Sequence, residues 1–250
     1  MKKVLIRSGA LPVDDVPFST MIRRNILGSN IGNLLYTYSI CRNLMQGEDT
    51  EFVSTKYKWN YSEKEIDEIN SDYECFIIPL ADAIRPQFLR ELKGLTQLVR
   101  SLTIPCYIIG VGVRAPYNPE PDFHYDFDDD VKEFINAVLD KSAMVGLRGS
   151  ITGEYLSRLG YKPEKDFTVI GCPSMYTFGN SISVRDEKIT TDSTACYNIS
   201  PGQKNDVIEF IRTSADRFSK SYYIPQDEAD LKIMWGGYRE LIAQTYSQSA

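Results

Sequence analysis

Hydrophobic residues in this chain fall into short unbroken runs that alternate with longer stretches of helical spacing. The short runs are mostly β-branched or aromatic and lack a polar alternate position, which is typical of strands covered on both faces. Strands that alternate with helices predict an α/β fold with a parallel, doubly wound, Rossmann-like sheet. The predicted strands are residues 4–8, 51–55, 75–80, 106–113, 143–147, 168–171, 195–199 and 222–224.

The longer stretches carry apolar residues three and four positions apart, which predicts amphipathic helices. One of them begins with Pro86, a favourable first residue of a helix, and another ends at Gly160, a common stop. A third begins with acidic residues, which suit the positive end of the helix dipole. The predicted helices are residues 33–45, 86–102, 129–139, 150–159 and 205–218.

A polar, charged stretch over residues 180–193 has no apolar periodicity and predicts a linker between two units. Residues 1–180 are predicted to form an N-terminal Rossmann-like domain. Residues 194–250 begin a new βαβ unit but are too few for a complete doubly wound sheet. We therefore expect a partial second α/β domain there.

Composition narrows the possible partners. A net charge of −6 and a pI of about 5.0 argue against a nucleic-acid surface, which needs a basic face. No apolar run approaches the ~20 residues of a membrane helix, so we expect a cytoplasmic protein with at most peripheral membrane association.

The five cysteines form no CxxC pair and are expected to be free thiols. The acids of residues 126–130 lack the spacing of a calcium loop, and no metal or cofactor is predicted.

Arg148 and Ser150 stand where a predicted strand passes into a helix. Ligands of open α/β sheets bind at the carboxyl ends of strands. The first N–H groups of a helix are unpaired and favour anions, and an arginine there grips phosphate or carboxylate in a bidentate manner. This pair of residues predicts a site for a small anionic ligand.

Two glycine-containing segments also lie at the ends of predicted elements, one at the start of a helix and one at the end of a strand. Asn30, Gly32 and Asn33 lie at a helix start and predict either a substrate-facing loop or a plain helix cap. Gly112 and Arg114 belong to a formal dinucleotide fingerprint, but the prolines that follow forbid the helix that binds a pyrophosphate. The segment then predicts close ligand approach with Arg114 as a second anion clamp, or a surface arginine on a turn.

His124 is the only histidine of the chain and lies in a long acidic loop after a predicted strand. Long loops without secondary structure are often functional, and histidine is the side chain best suited to proton transfer near neutral pH. His124 is therefore a candidate for proton transfer, the alternative being a solvated loop side chain.

The order of these motifs resembles the polysaccharide pyruvyltransferase family over roughly residues 25 to 235. The resemblance implies a GT-B-like pair of Rossmann-type domains that transfer the enolpyruvyl carbon of phosphoenolpyruvate to two sugar hydroxyls. The chain departs from the family in having no histidine after His124 and in placing Gly149 where many relatives have an acid. The motifs are Asn30-x-Gly-Asn33, Gly110-Val-Gly-Val-Arg114, the segment from Gly146 to Gly160, and Ile170-Gly-Cys-Pro-Ser174.

The resemblance also implies partners and roles. The partners are phosphoenolpyruvate and a sugar or lipid-linked saccharide of a cell-surface polysaccharide. Arg148 with Ser150 would hold one anionic group, Arg114 the other, and His124 would be the acid that protonates the methylene carbon. Since the second wall of the cleft is short, we expect this chain alone to be a poor or inactive enzyme. The residues expected to line the substrate site are Asn30, Gly32, Asn33, Gly112, Arg114, Ser150 and Ser174.

Two other functions fit the same residues. One is a nucleotide-sugar-dependent glycosyltransferase of the GT-B type, which would need a second domain that reads a base and a ribose. The other is a non-catalytic remnant that binds a sugar or an anion.

Overall fold

The computed structural model describes residues 2–17, 19–20, 31–44, 49–198 and 205–224. The chain divides into two compact units. The first comprises Met1–Asp14 with Gly32–Ile182, and the second comprises Asp15–Ile31 with Ser183–Ala250. Among the described helices, none is long and apolar enough to cross a membrane.

The first unit is built on a parallel sheet, which confirms the predicted α/β class. Four strands pair in the order β2-β1-β3-β4, and two more form the parallel pair β5-β6. The pair continues the sheet beyond β4, because the N–H groups of Gly110 and Val111 both donate to the Gly146 carbonyl oxygen. The strands are β1 (Lys2–Ile6), β2 (Thr50–Ser54), β3 (Cys75–Pro79), β4 (Cys106–Ile109), β5 (Val145–Leu147) and β6 (Phe167–Val169).

Helices cover the two faces of this sheet unequally. The first helix, α1, packs with β1 and β2 in one apolar cluster that contains Ile6, Tyr36 and Phe52. The later helices contribute to a larger cluster on the other face, with Phe76, Phe134 and Tyr155 at its centre. The β1–β2 connection runs toward the β2 edge of the sheet, whereas the later connections run in the opposite direction. Because crossovers between parallel strands are right-handed, connections that run in opposite directions place their helices on opposite faces. The helices are α1 (Ile31–Leu44), α2 (Glu63–Asp72), α3 (Leu89–Ser101), α4 (Asp128–Leu139) and α5 (Ser150–Arg158).

The strand order reverses beside β1, since β2 lies on one side of it and β3 on the other. Loops that leave the carboxyl ends of β1 and β3 then run to opposite faces and leave a crevice between them. The residues that follow these strands are Arg7 and Leu80. This edge of the sheet is where a ligand site is expected.

Helix α2 is absent from the sequence prediction. Its ten residues include only Ile66 and Ile69 as apolar positions, too few for a clear helical pattern. The helix begins instead with a capping box, in which Ser62 and Glu65 satisfy each other's backbone N–H groups. The Ser-x-x-Glu spacing was the available signal.

Two predicted elements end earlier or begin later than the pattern indicated. The strand predicted over 106–113 ends at Ile109, because Gly110 turns the chain with a φ of +75°. The helix predicted from Pro86 begins with a 3₁₀ turn over Pro86–Phe88 before α3. Both differences come from backbone geometry next to an element, which hydrophobic spacing does not encode.

The second unit contains a βαβ arrangement, as the sequence predicted. Strand β7 (Thr194–Tyr197) pairs in parallel with β8 (Lys220–Tyr223), and α6 (Asn205–Ala215) connects them. Residues 180–193 carry no helix or strand, and nearly all of their side chains are exposed.

Candidate functional site at the carboxyl edge of the sheet

Arg148 lies directly after β5 and is half-buried. Its Nε–H donates to the Gly110 carbonyl oxygen (3.0 Å), and Nη2 donates to that of Leu80 (3.1 Å). Its Nη1 donates to the Cys172 sulfur at 3.2 Å. These three bonds connect Arg148 to the segments that follow β3, β4 and β6. Arg148 makes no ion pair within the described residues, so no carboxylate there compensates its positive charge. A guanidinium has five N–H donors, which leaves two for a ligand.

The first turn of α5 lies two residues further along the chain. Its N-cap residue is Gly149, and no side chain caps the helix. Thr152, in the same turn, instead accepts a hydrogen bond from the Val113 N–H (3.1 Å). Ser150 is exposed, so the positively polarised start of α5, two residues after Arg148 in the chain, faces solvent.

Gly112 brings the backbone after β4 close to Arg148. Its N–H donates to the Ala81 carbonyl oxygen (2.7 Å), and a Cβ on Gly112 would stand 3.6 Å from the Arg148 Cβ. The predicted residues Gly112 and Arg148 are therefore neighbours at one edge. A Cβ at the nearby Gly110 would lie 2.8 Å from the Pro173 Cδ, so that position needs glycine on both steric and conformational grounds.

Ser174 joins the same cluster through Cys172. The Cys172 sulfur, which accepts the Arg148 hydrogen bond, is 3.0 Å from the Ser174 hydroxyl oxygen. Ser174 lies in the 3₁₀ turn Pro173–Tyr176 after β6, Cys172 directly precedes that turn, and α1 contacts it. In that contact the Ser39 hydroxyl donates to the Pro173 carbonyl oxygen (2.5 Å).

Arg114 is engaged in an ion pair. Its guanidinium donates to the Asp82 carboxylate, which Arg85 also contacts. Burial by itself raises the pKa of Asp82, but the hydrogen bonds from Arg114 and Arg85 outweigh it and hold that pKa below its usual range. The Arg114 charge is thus compensated by a carboxylate, unlike that of Arg148.

His124 is exposed, and its Nδ1 lies 3.1 Å from the Asp122 carbonyl oxygen. Its neighbours Phe123 and Tyr125 turn inward against Tyr155, which anchors the loop and directs His124 away from that aromatic cluster. No hydrogen bond, ion pair or ring contact in the described residues joins His124 to Arg148.

The remaining predicted residues lie at the start of α1. Gly32 and Asn33 are in its first turn, and the Asn33 carbonyl oxygen accepts a hydrogen bond from the Thr37 hydroxyl (2.9 Å). Asn30 lies outside the described residues.

Arg7 is a charged residue at this edge that the sequence analysis did not select. It follows β1 directly, and its guanidinium lies over the rings of Tyr57 (4.9 Å) and Phe88 (5.3 Å). Burial lowers the pKa of Arg7 from its ordinary value. A basic residue immediately after the apolar run of β1 was the signal that would have identified it.

Tyr36 on α1 interacts electrostatically with both Arg7 and Arg148. Burial and the neighbouring Tyr57 hydroxyl raise the pKa of Tyr36 above its usual value, and the charges of Arg7 and Arg148 act in the opposite direction. Two guanidinium groups without a carboxylate partner among the described residues therefore act on the same stretch of the carboxyl edge.

An open cleft of about 770 Å³ lies beside the first turn of α5. Tyr117 in this cleft is fully exposed, and Asn118 adopts a left-handed φ of 55°. An exposed aromatic ring next to an amide is a surface suited to a polar, ring-shaped ligand. The cleft is lined by Ala115, Pro116, Tyr117, Asn118 and Ile151.

Within the described parts of the chain, no group of three or more His, Cys, Asp or Glu side chains is placed to hold a metal ion. Comparison with protein-family models, with curated proteins and with solved structures finds no match for this chain.

Proposed function

We propose that the carboxyl edge around Arg148 binds phosphoenolpyruvate, and that the chain is a GT-B-like polysaccharide pyruvyltransferase. One observation carries this proposal: the Arg148 guanidinium is fixed by two carbonyl oxygens and a sulfur, and no carboxylate in the described part of the chain neutralises it. A fixed cation is a favourable place for a phosphate or carboxylate, and so is the uncapped helix start that follows Arg148 in the chain. The order of the sequence motifs supports the choice of phosphoenolpyruvate among such anions.

The reaction needs charge stabilisation and one proton. Protonation of the methylene carbon of phosphoenolpyruvate leaves an oxocarbenium-like centre, which a sugar hydroxyl attacks with loss of its own proton. A second hydroxyl then displaces the phosphate, so that a cyclic ketal and inorganic phosphate result. Arg148 would stabilise the phosphate as it leaves, which is the electrostatic part of such catalysis.

The acceptor sugar has a candidate position next to this anion site. The cleft lined by Tyr117 and Asn118 adjoins Ile151, the second residue of α5. A sugar ring stacked on Tyr117 would bring its hydroxyls toward the first turn of that helix. The acceptor class in this proposal is a saccharide, free or linked to a lipid.

Non-catalytic anion binding is the second candidate function, and the position of His124 favours it. The ring of His124 contacts the Asp122 carbonyl oxygen and nothing at Arg148 within the described residues. Arg148 can therefore bind an anion without a proton donor at His124, and binding and proton transfer require separate experiments.

Binding is tested by calorimetric titration of phosphoenolpyruvate into the wild type, Arg148→Ala and the control Arg158→Ala. Arg158 is exposed in the last turn of the same helix, so its removal changes the net charge equally. We expect Arg148→Ala to weaken binding by about 1.5 to 3 kcal/mol, the scale of a charged hydrogen bond. Equal affinity in the wild type and Arg148→Ala would refute the site.

Turnover is tested by phosphate release from phosphoenolpyruvate in the presence of simple galactosides, mannosides and lipid-linked saccharides. Acceptor-dependent release by the wild type, lost in Arg148→Ala, supports the transferase. Binding without release supports the non-catalytic function. Preferential binding of a UDP-sugar supports a glycosyltransferase instead.

A further inference from the structure

The ends of β1 and β2 bring a second set of polar groups together, apart from Arg148. Ile6 and Ser54 are partners in the β1–β2 ladder, and the next residues are Arg7 and Thr55. The Thr55 N–H donates to the Ile6 carbonyl oxygen (2.9 Å), so the pairing continues past the strands. Side chains alternate along a strand, which places Arg7 and Thr55 on the same face as Leu5.

The Arg7 guanidinium packs against two aromatic rings and has no anionic partner among the described residues. It lies over Tyr57 and Phe88, and no described carboxylate comes within ion-pair distance. Glu91 acts on it only through space. The faces of the two rings supply no oxygen acceptor, and no described residue accepts a hydrogen bond from the Arg7 side chain. A partly desolvated cation without an anion is unfavourable, and a bound anion would relieve that cost.

Two hydroxyl groups beside Arg7 also keep unused hydrogen-bonding capacity. The Oγ1 of Thr55, a residue only 6% exposed, makes no hydrogen bond to any described residue. The buried Tyr57 hydroxyl lies beside the Tyr36 hydroxyl, and no other described residue hydrogen-bonds with it. A buried hydroxyl left unsatisfied typically costs about 1 to 3 kcal/mol. The unsatisfied Thr55 hydroxyl and the Tyr57 hydroxyl, both next to a guanidinium without a described anion, indicate a set of donors that lacks its acceptor.

Backbone strain holds one of these groups in place. Lys56 and Tyr57 both adopt left-handed conformations, with φ of 51° and 59°, although neither is glycine. The Tyr57 N–H donates to the Ser8 carbonyl oxygen (3.0 Å), which ties this turn to the end of β1. Strained residues persist where the surroundings require them, and they are concentrated at ligand sites.

We infer that Arg7, Thr55 and Tyr57 form an oxyanion-binding site for the carboxylate or phosphate group of a small ligand. The edge of the Arg7 guanidinium binds two oxygens side by side, and the hydroxyls of Thr55 and Tyr57 donate to the same group. The site lies at the β1 and β2 ends and does not rest on the function proposed for Arg148.

The test is a nuclear magnetic resonance titration of the full chain with inorganic phosphate and, separately, with acetate at constant ionic strength. The backbone amides of Thr55, Tyr57 and Lys58 report on the site. We expect saturable shifts at these amides, and the tighter of the two probes identifies phosphate or carboxylate as the natural group. Absence of saturation with both probes in the wild type would overturn the inference.

Variants then assign the binding to these residues. Arg7→Met keeps an unbranched side chain against the rings but removes the charge, and should weaken binding about tenfold or more. Arg100→Met is the matched control, because Arg100 is exposed and pairs with Glu133 at the other end of α3. Equal affinity in Arg7→Met and Arg100→Met would show that Arg7 serves packing alone.

A third variant covers the case in which Arg7→Met does not fold. Thr55→Val removes the unpartnered hydroxyl at constant shape and should weaken binding several-fold while raising thermal stability in the absence of anion. Unchanged affinity in Thr55→Val would contradict the site. Phosphate binding at these amides should persist in Arg148→Ala, which separates this site from the one at Arg148.

Discussion

At the scale of single residues, three arginines at one edge of the sheet differ in how their charge is compensated. Arg114 contacts the Asp82 carboxylate, whereas among the described residues Arg148 contacts only neutral acceptors and Arg7 only aromatic residues. A compensated guanidinium gains little from a further anion, while an uncompensated and partly buried one gains much. The position of Arg148 next to Ser150 was predictable from the strand-to-helix pattern. The pairing of Arg114 was not, because Asp82 lies 32 residues away.

Tyr155 provides a test of a buried hydrogen bond. Its side chain is fully buried, and its hydroxyl donates to the Asp128 carboxylate at the start of α4. Tyr155→Phe should lower the free energy of unfolding by about 1.5 to 3 kcal/mol, because a hydrogen bond to a charged group is lost. Urea denaturation measures this. Tyr117→Phe, at a fully exposed position, is the control and should change stability by less than about 0.5 kcal/mol.

At the scale of elements, helix α2 shows how local polar chemistry defines a helix with few apolar residues. Ser62 and Glu65 cap its first turn reciprocally, and only Ile69 is buried. Ser62→Ala should lower the free energy of unfolding by about 1 kcal/mol, since one N-terminal N–H loses its acceptor. Chemical denaturation of Ser62→Ala and of Ser71→Ala compares the cap with an exposed serine near the other end. Equal losses in both would argue against the capping role.

Glu65 makes the same cap dependent on pH. Hydrogen bonds from the Lys58 ammonium and then from Ser62 lower its pKa from 4.5 to about 2. The folded state thus favours the carboxylate, so its stabilisation is complete above pH 4.5 and is lost as the pH falls through about 2. A carboxyl-carbon titration of Glu65 should show a midpoint near 2, and Lys58→Met should raise that midpoint. A midpoint already at the ordinary value in the wild type would contradict the contact.

At the scale of the whole molecule, the distribution of cysteines distinguishes the two units. Cys41 and Cys106 are buried in the first unit, and burial raises their pKa values to about 11 and about 12. Cys196 is exposed on β7 of the second unit. Because the thiolate is the reactive form, exposure and pKa together set the order of reaction with thiol reagents.

We expect a thiol reagent at neutral pH to modify Cys196 first and to reach Cys106 only when the first unit unfolds. Mass spectrometry of peptides after timed labelling measures the two rates. In increasing urea, labelling of Cys106 should follow the unfolding transition, whereas labelling of Cys196 should be fast throughout. Rapid modification of Cys106 in the native protein would show that the core of the first unit opens locally.

The sequence alone determined the α/β class, the parallel sheet and the placement of Arg148 and Ser150 at a strand-to-helix junction. These follow from hydrophobic spacing and from the residues next to it, which act over a few positions along the chain. Only the tertiary structure decided which charges are neutralised and which polar groups stay unpartnered. The contacts that decide this join residues far apart in sequence, such as Arg148 with Leu80 across 68 positions and Ser39 with Pro173 across 134. Local patterns carry no information on such partners, because the strand order that brings them together is set by packing of the whole sheet.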